Sequence, residues 1–394
     1  MKEEATATKA YKVPVEAPGD LMEAYFEAKR KALEEVMSHV THSESGKAQL
    51  NFKAGDRRKL RNNLLKEWKY SRHYVDSAIN SVIGLVKGWI KLYNRGKARS
   101  KPRVTGKTVY VKSTLFTYRD GKLKISIEPG KRHLEVNLAR YDYLPKNFDT
   151  IGGLLLREDG LIITFKKKVV GVEPRDWASF DINLTNVTAL ISGRVVRYDL
   201  RQLYHVHRAY EEKRRRIQKL SKRKPKVAER LMRKYSRREK DRARDFMHKL
   251  TARIAGELGG VESGAILEDL RNIKSKVLRR SRNLNRRLSK WNARTFQFML
   301  EYKLRWLGLP VKYVNPSYSS RTCPLCSGRM AAYEGRLMRC KKCCLILDRD
   351  VVAVLNLQVW GSGVTPKALI EAYASMMGKR LTDQNHLPIK TYQA

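Results

Sequence analysis

Apolar residues change rhythm along this chain, and each rhythm predicts a different kind of element. Leu21, Tyr25, Ala28, Ala32 and Val36 fall at helical spacing behind Pro18-Gly19-Asp20, which places Asp20 as N-cap. Helical patterns at 57–69 and 74–92 complete a small bundle whose apolar stripes form its core. From 104 to 170 the pattern becomes period-two. Asp120-Gly121, Pro129-Gly130 and Asp159-Gly160 punctuate it as turns. This predicts an antiparallel β unit, drawn as a small barrel, joined by an extended patch at Ala10-Tyr11-Lys12-Val13-Pro14-Val15.

Short apolar runs then flank Asp181. Trp177 to Phe180, leading into Asp181, then Val187 to Ile191 and Val195 to Tyr198 read as three short strands, with a turn at Ser192-Gly193-Arg194. Gly264 to Leu267 is a buried strand ending at Glu268. Leu284, Leu288, Trp291, Thr295, Phe298 and Tyr302 predict an amphipathic helix, stopped by Gly308-Leu309-Pro310 and followed by a strand at 311–314. A helix at 350–360 turns Val351, Val354, Leu355 and Val359 inward. The stretch 271–290 reads as basic and partly mobile, and 361–394 as a loosely held polar tail.

Charge sharpens the picture. Lysine plus arginine number 83 and aspartate plus glutamate 39 in 394 residues, a net of +44. Such an excess predicts a polyanionic partner, nucleic acid above all. No apolar run of membrane-spanning length appears, and the start of the chain lacks a signal-peptide pattern. Residues 213–244 hold seventeen Lys/Arg and three acids, and Lys224-Pro225-Lys226 turns the region into a helical hairpin. So few acids cannot lace a solvated face with i,i+4 pairs, so the hairpin is read as a phosphate-binding surface, with Arg237, Arg238 and Arg242 on it.

The five cysteines all lie within 323–344, which predicts a metal site in a reducing compartment, the cytoplasm. Cys323-x-x-Cys326 and Cys340-x-x-Cys343, thirteen residues apart, suit one structural Zn²⁺, and Cys344 is left as a spare thiol. Asp181, Glu268 and Asp350 sit on three distant elements. Brought together, they would suit two Mg²⁺ ions for phosphodiester hydrolysis. Singly, each acid also fits a hydrogen-bonded strand residue or a surface pair, and Asp348 competes with Asp350.

The combination resembles a family. Phe180-Asp181-Ile182-Asn183 through Asn186-Val187-Thr188, Leu267-Glu268-Asp269-Leu270, the run from Pro316 through Cys326, and Asp348-Arg349-Asp350 are similar to the motifs of TnpB proteins, RNA-guided DNA endonucleases of insertion sequences related to type V CRISPR effectors. The motifs cover 180–357; the N-terminal half matches in layout. The resemblance implies an α+β multidomain protein. A helical bundle and a wedge-like β-barrel lobe precede an RNase H-like RuvC α/β domain with an inserted zinc ribbon. The boundaries that follow are 1–19, the N-terminal strand of the β domain; 20–96, helical; 97–172, wedge-like; 173–322, RuvC-like with the basic hairpin; 323–344, zinc ribbon; 345–360, the RuvC-like C-terminal part; and 361–394, tail. It also implies catalysis by Asp181, Glu268 and Asp350, a guide RNA transcribed from the transposon end, a double-stranded DNA target, and a separate recombinase for DNA insertion. One departure stands out. Val352-Ala353-Val354 replaces the family's Asn-Ala-Ala, which removes a polar group expected near the metals. Two rival readings stay open: a nuclease-inactive RNA-guided regulator, and a guide-independent RuvC-like nuclease.

Overall fold

The computed structural model describes residues 4–98, 100–271, 281, 285–286, 288, 290–364 and 390–393. The chain divides into two compact units, Thr6–Lys168 and Val169–Ala394, the latter counted together with Met1–Ala5.

The first unit opens with β1 (Glu4–Val13), then α1 (Gly19–Ser38), a small hairpin of β2 (Val40–His42) and β3 (Ala48–Leu50), α2 (Ala54–Leu65) and α3 (Arg72–Tyr93). The expected stripe of α1 is buried from Leu21 to Val36, and α1 packs along α3, where Tyr25 Oη meets Ser77 Oγ at 3.1 Å. Asp20 is not the cap. Pro18 holds that position, and Asp20 Oδ2 instead accepts hydrogen bonds from Tyr70 Oη at 3.0 Å and Arg132 Nη2 at 2.6 Å. The β unit follows as β4 (Thr108–Val111), β5 (Phe116–Arg119), β6 (Lys122–Glu128), β7 (Arg132–Asn137), β8 (Thr150–Arg157) and β9 (Gly160–Val170).

The expected barrel does not close among the described residues. The strands form two separate sheets, β1-β9-β8-β4 and β5-β6-β7. β4 is only four residues long, and a 3₁₀ turn at Ser113–Leu115 then redirects the chain into the second sheet. The Asp120-Gly121 turn is as expected: both residues have positive φ, and Arg119 pairs with Lys122.

The second unit is built on β10 (Asp176–Ile182), β11 (Asn186–Ile191) and β12 (Arg194–Asp199), an antiparallel meander. A helical hairpin, α4 (Arg201–Leu220) and α5 (Pro225–Gly260), leads to β13 (Ser263–Glu268), α6 (Ala293–Trp306) and β14 (Val311–Val314). β13 pairs parallel with both β10 and β14. A three-stranded ribbon, β15 (Met330–Ala332), β16 (Leu337–Cys340) and β17 (Ile346–Asp348), runs into α7 (Arg349–Ser362).

The tail departs from expectation. Its residues 365–389 lie outside the described ones, but β18 (Lys390–Gln393) pairs parallel with β12, giving the order β14-β13-β10-β11-β12-β18. Of the amphipathic pattern begun at Leu284, that residue and most of 271–290 also lie outside the described residues. The described helix starts at Ala293, after Trp291.

Side-chain alternation assigns the two faces of this sheet. Ala178, Phe180, Ile182, Ala265 and Leu267 join Met247, Leu250, Ile254, Phe296 and Leu300 in one core, which places α5 and α6 on that face. Leu190 and Val195 join Val351, Val354 and Leu355, which places α7 on the other. Ser179 faces α7, and its Oγ donates to Val354 O at 2.7 Å. Residues of the same parity, Asp181 and Glu268, therefore emerge on the α7 face.

Gly264 opposes Trp177 across β10 and β13, and a Cβ there would lie 2.8 Å from the indole ring. Gly264→Ala is expected to destabilise the unit by about 1–3 kcal/mol, read as a lower urea midpoint at unchanged slope.

Candidate metal centres and nucleic-acid interface

Two sets of sequence-predicted ligands are brought together. The four cysteines come from the two knuckles of the ribbon, and all four Sγ atoms lie within 4.8 Å of one another. Cys323 and Cys343 are 3.6 Å apart and Cys326 and Cys340 3.5 Å. Four thiolates about 2.3 Å from a Zn²⁺ stand about 3.8 Å apart, so a tetrahedral ion fits with little movement. Burial pushes the Cys340 thiol up, but the N–H groups of Cys343 and Lys342 outweigh it and bring it down to about 7. Gly328 is required here, because a Cβ would stand 3.1 Å from Cys340 Sγ and 3.2 Å from Cys326 Sγ. Cys344 is exposed, lies outside the cluster and adopts a φ of 59°, where a side chain is disfavoured.

The acids meet at the C-terminal ends of β10 and β13 and the N-terminus of α7. Phe180 pairs with Leu267, so Asp181 and Glu268 stand level one step further on. Glu268 is 7% exposed and Asp350 3% exposed. Glu268 Oε2 accepts from Ile182 N at 3.3 Å, and Asp181 Oδ2 from Asn183 Nδ2 at 2.7 Å. The strand ends are tied down from the other core: Trp291 Nε1 donates to Ile182 O at 3.0 Å, and Gln297 Nε2 to Glu268 O at 2.6 Å. Among the described residues, the four cysteines form the compact group of ligand atoms, and the three carboxylates are not part of such a group.

Electrostatics marks these acids out. Burial and then the charge of Asp350 raise the Asp181 carboxyl; burial and then Asp181 raise Glu268. Burial and then Asp348 raise Asp350, opposed by Arg336 and Arg197. The two arginines only partly compensate buried carboxylates that repel one another, and an all-oxygen donor set of this kind is the type that hard divalent cations take.

The rival acids have other work. Asp348 is the N-cap of α7, its Oδ1 accepting from Asp350 N at 2.8 Å. Asp269 pairs with Arg271 at 2.6 Å, which holds its carboxyl down at about 2.

Two arginines that sequence reasoning does not single out complete the cluster. Arg197 Nη2 lies 3.3 Å from Asp348 Oδ1 and 3.5 Å from Asp350 Oδ2; Arg336, from the ribbon, contacts the same two carboxylates. A lone arginine between Val195-Val196 and Tyr198 is the available signal for the first.

Val352 is fully buried among apolar residues that include Leu190, Val195 and Leu347. The family's asparagine would meet apolar neighbours there. Asn356 supplies polar contact on the same helix, its Nδ2 donating to Ser319 O at 2.6 Å and Thr322 O at 2.7 Å.

The basic hairpin forms as expected, with Arg237, Arg238 and Arg242 exposed on α5. Each acid of 213–244 is ion-paired, Glu229 to Arg233, Glu239 to Arg214 and Asp241 to Arg237, so some i,i+4 lacing is present after all. Three acids still cannot neutralise seventeen cations. The inner seam is aromatic: Lys213 Nζ lies 5.1 Å from the Tyr210 ring centroid and 5.4 Å from that of Tyr235. No helix among the described residues is long and apolar enough to cross a membrane.

This architecture resembles the folds solved for Cas12-type proteins. It superposes on Cas12f1 in its complex with sgRNA and target DNA at a TM-score of 0.57 and 14% identity, covering 86% of this chain and 81% of that one. On the mini RNA-guided endonuclease CRISPR-Cas_phi3 the TM-score is 0.53 at 12% identity, covering 90% and 92%. Sequence profiles agree. The family described as a probable transposase matches residues 166–274, the Cas12f1-like TNB domain matches 294–357, and the uncharacterized protein MJ0013 family matches 21–126. TnpB-like protein MJ0751 of Methanocaldococcus jannaschii is 38% identical over 257 residues, 62% of this chain and 92% of that protein. TnpB-like protein MJ1635 of the same organism is 28% identical over 363 residues, 88% of this chain and 85% of that protein. The chain belongs to the TnpB family.

Cys326→Ser is expected to lose the zinc and lower the stability of the second unit, whereas Cys344→Ser keeps it; metal analysis of the purified variants reads the difference. Cys344→Gly should also keep zinc and gain about 1 kcal/mol by relieving the left-handed backbone.

Replacing Arg237, Arg238 and Arg242 together by Ala is expected to weaken nucleic-acid binding similarly for all sequences. The slope of log K against log salt should fall by roughly one unit for each phosphate no longer held, and an unchanged slope would remove the hairpin from the interface.

Proposed function

We propose that this protein is an RNA-guided DNA endonuclease encoded by an insertion sequence. The observation that carries this reading is the convergence of Asp181, Glu268 and Asp350 at one end of a mixed sheet. Three antiparallel strands with two parallel strands added beside the first is the order expected of an RNase H-like RuvC domain. Asp181 interacts with both Asp350 and Glu268, and the three carboxylates would hold two Mg²⁺ ions. The chemistry such ions would supply is activation of water and stabilisation of the leaving oxygen of a phosphodiester. The chain's own contribution is to fix the ligands: strand-end hydrogen bonds hold Asp181 and Glu268, and the helix cap holds Asp350. The ribbon, with Cys323, Cys326, Cys340 and Cys343 around one Zn²⁺, anchors the segment that enters α7.

The guide RNA, from the transposon end, would read the DNA target by base pairing. The basic surfaces would hold the A-form heteroduplex by its backbone, and the protein would read only a short flanking motif. The solved neighbour with sgRNA and target DNA supports those two partners, and a separate recombinase would insert DNA. The inactive-regulator reading keeps Val352 as its support, and the intact set Asp181, Glu268 and Asp350 speaks against it.

With the RNA that copurifies with it, Mg²⁺ and a matched target bearing the flank, the protein is expected to cut. Asp181→Ala, Glu268→Gln and Asp350→Ala should each abolish cutting and leave guide-dependent binding within about threefold, since affinity lies in base pairing and phosphate contacts. Tight target binding by the wild type with no cleavage at any Mg²⁺ concentration establishes the regulator instead. Purification without RNA and cutting without a guide establishes the guide-independent nuclease.

A further inference from the structure

Register aligns four side chains in one row across the α7 face of the sheet. Asp181 opposes Thr188, Thr188 opposes Arg197, and Glu268 stands level with Asp181 on the other side. Parity agrees throughout, since Leu190 and Val195, two residues from Thr188 and Arg197, pack against α7. The row therefore runs acid, acid, threonine, arginine, and Asp350 at the start of α7 interacts with two of its members: repelled by Asp181 and held by Arg197.

Arg197 is an expensive choice for that place. Its Nε is buried and has no hydrogen-bond partner, although the side chain as a whole is 22% exposed. An unsatisfied buried donor costs about 1–3 kcal/mol, and an apolar residue would avoid it. A salt bridge alone would be poor compensation. What the guanidinium does is geometric. One nitrogen, Nη2, contacts the N-cap carboxylate of Asp348 and the Oδ2 of Asp350, so the cap and the candidate ligand are held from the same strand. Arg336 reaches the same oxygen of Asp350 but is 56% exposed and lies on the ribbon, a separate element. Arg197 belongs to the sheet that carries Asp181 and therefore fixes Asp350 relative to it.

We propose that Arg197 is a positioning residue of the acidic site: it orients the Asp350 carboxylate relative to Asp181 by holding Oδ2, which leaves the other oxygen for a cation. This rests on the reading of Asp181, Glu268 and Asp350 as a divalent-cation site. It predicts a split that a merely structural arginine would not give. Removing Arg197 takes one positive charge away from the carboxylates, so divalent cations should bind as tightly or more tightly. Cleavage should fall, because a misplaced ligand costs on the order of tenfold to a hundredfold in rate.

The test uses the full chain with its copurified RNA. Arg197→Met, matched in length and apolar, and Arg197→Lys, which keeps the charge but not the fork, are compared with the wild type. Mn²⁺ binding is measured by electron paramagnetic resonance, and cleavage under single-turnover conditions at saturating Mg²⁺. The expected result is undiminished Mn²⁺ affinity in Arg197→Met with the cleavage rate down at least about tenfold, and an intermediate rate in Arg197→Lys. Unchanged cleavage in Arg197→Met overturns the proposal. So does Mn²⁺ affinity that disappears together with cleavage and thermal stability in both variants, which marks a structural role. Wild-type protein that takes up no Mn²⁺, or whose uptake survives Asp181→Ala, overturns the underlying site reading as well.

Discussion

Everything in the second unit is arranged around carboxylates that a folded protein would rather not bury. Asp181 and Glu268 share one face of a sheet whose other face is a continuous apolar core, and Asp350 is lowered onto them by α7. Their mutual repulsion could be relieved by exposure or by protonation. The fold blocks exposure: Trp291 and Gln297 hold the strand ends, and Ser179 bonds the sheet to α7. The remaining reliefs are protonation, toward which burial and repulsion already push Asp181 and Glu268, and positive charge, from arginine or from metal.

The ribbon belongs to the same arrangement rather than being an appendage. Its last strand runs without a loop into α7, Asp348 ending one and capping the other. Asn356, two turns along that helix, reaches back to the carbonyls of Ser319 and Thr322 just before the first cysteine. The start of α7 is thus held by the sheet through Arg197 and by the ribbon through Arg336, and its middle by the chain entering the ribbon. Closing four thiolates around an ion would stiffen the element that carries Asp350, because binding energy in such a loop is folding energy.

Much of this is legible in the sequence for physical reasons. Apolar runs on either side of Asp181 and before Glu268 predict the strands, since a strand covered on both faces has little polar surface to show. The cysteine spacing predicts the cluster, since two knuckles can close a tetrahedron from one short loop. What alternation cannot give is which strand edges meet. It gives the strands of the first unit but not their division into two sheets, and it cannot foresee that Lys390–Gln393 joins an edge. Asp20 departs from its expected role because a proline two residues earlier already starts the helix, which frees the carboxylate for Arg132 and Tyr70. Arg197 and Arg336 stay hidden in the sequence because their meaning depends on where α7 lands. Three strands and a ribbon must be placed before either guanidinium has a partner.

The local charge balance accounts for how an acidic site can serve a protein with a net charge of +44 and a polyanionic partner. On the proposed reading, Asp181, Glu268, Asp348 and Asp350, once ionised, contribute −4 and the two guanidinium groups in contact with them, Arg197 and Arg336, +2, leaving −2 where a phosphate would approach. That residual charge repels a phosphodiester, and in a partly buried site the repulsion is weakly screened. Two divalent cations held there would add +4 and turn the site to +2. Metal occupancy and phosphate entry would then be linked, each favouring the other, while the rest of the chain's positive charge would hold nucleic acid whether or not the metals were there. Without the two arginines the metal-free balance would be −4 and the metal-bound balance zero. The site would then hold its cations more tightly but present no net attraction to the bond to be cut. On the proposed reading the arginines would therefore trade metal affinity for phosphate attraction, and so bear on the rate of cleavage more than on stability.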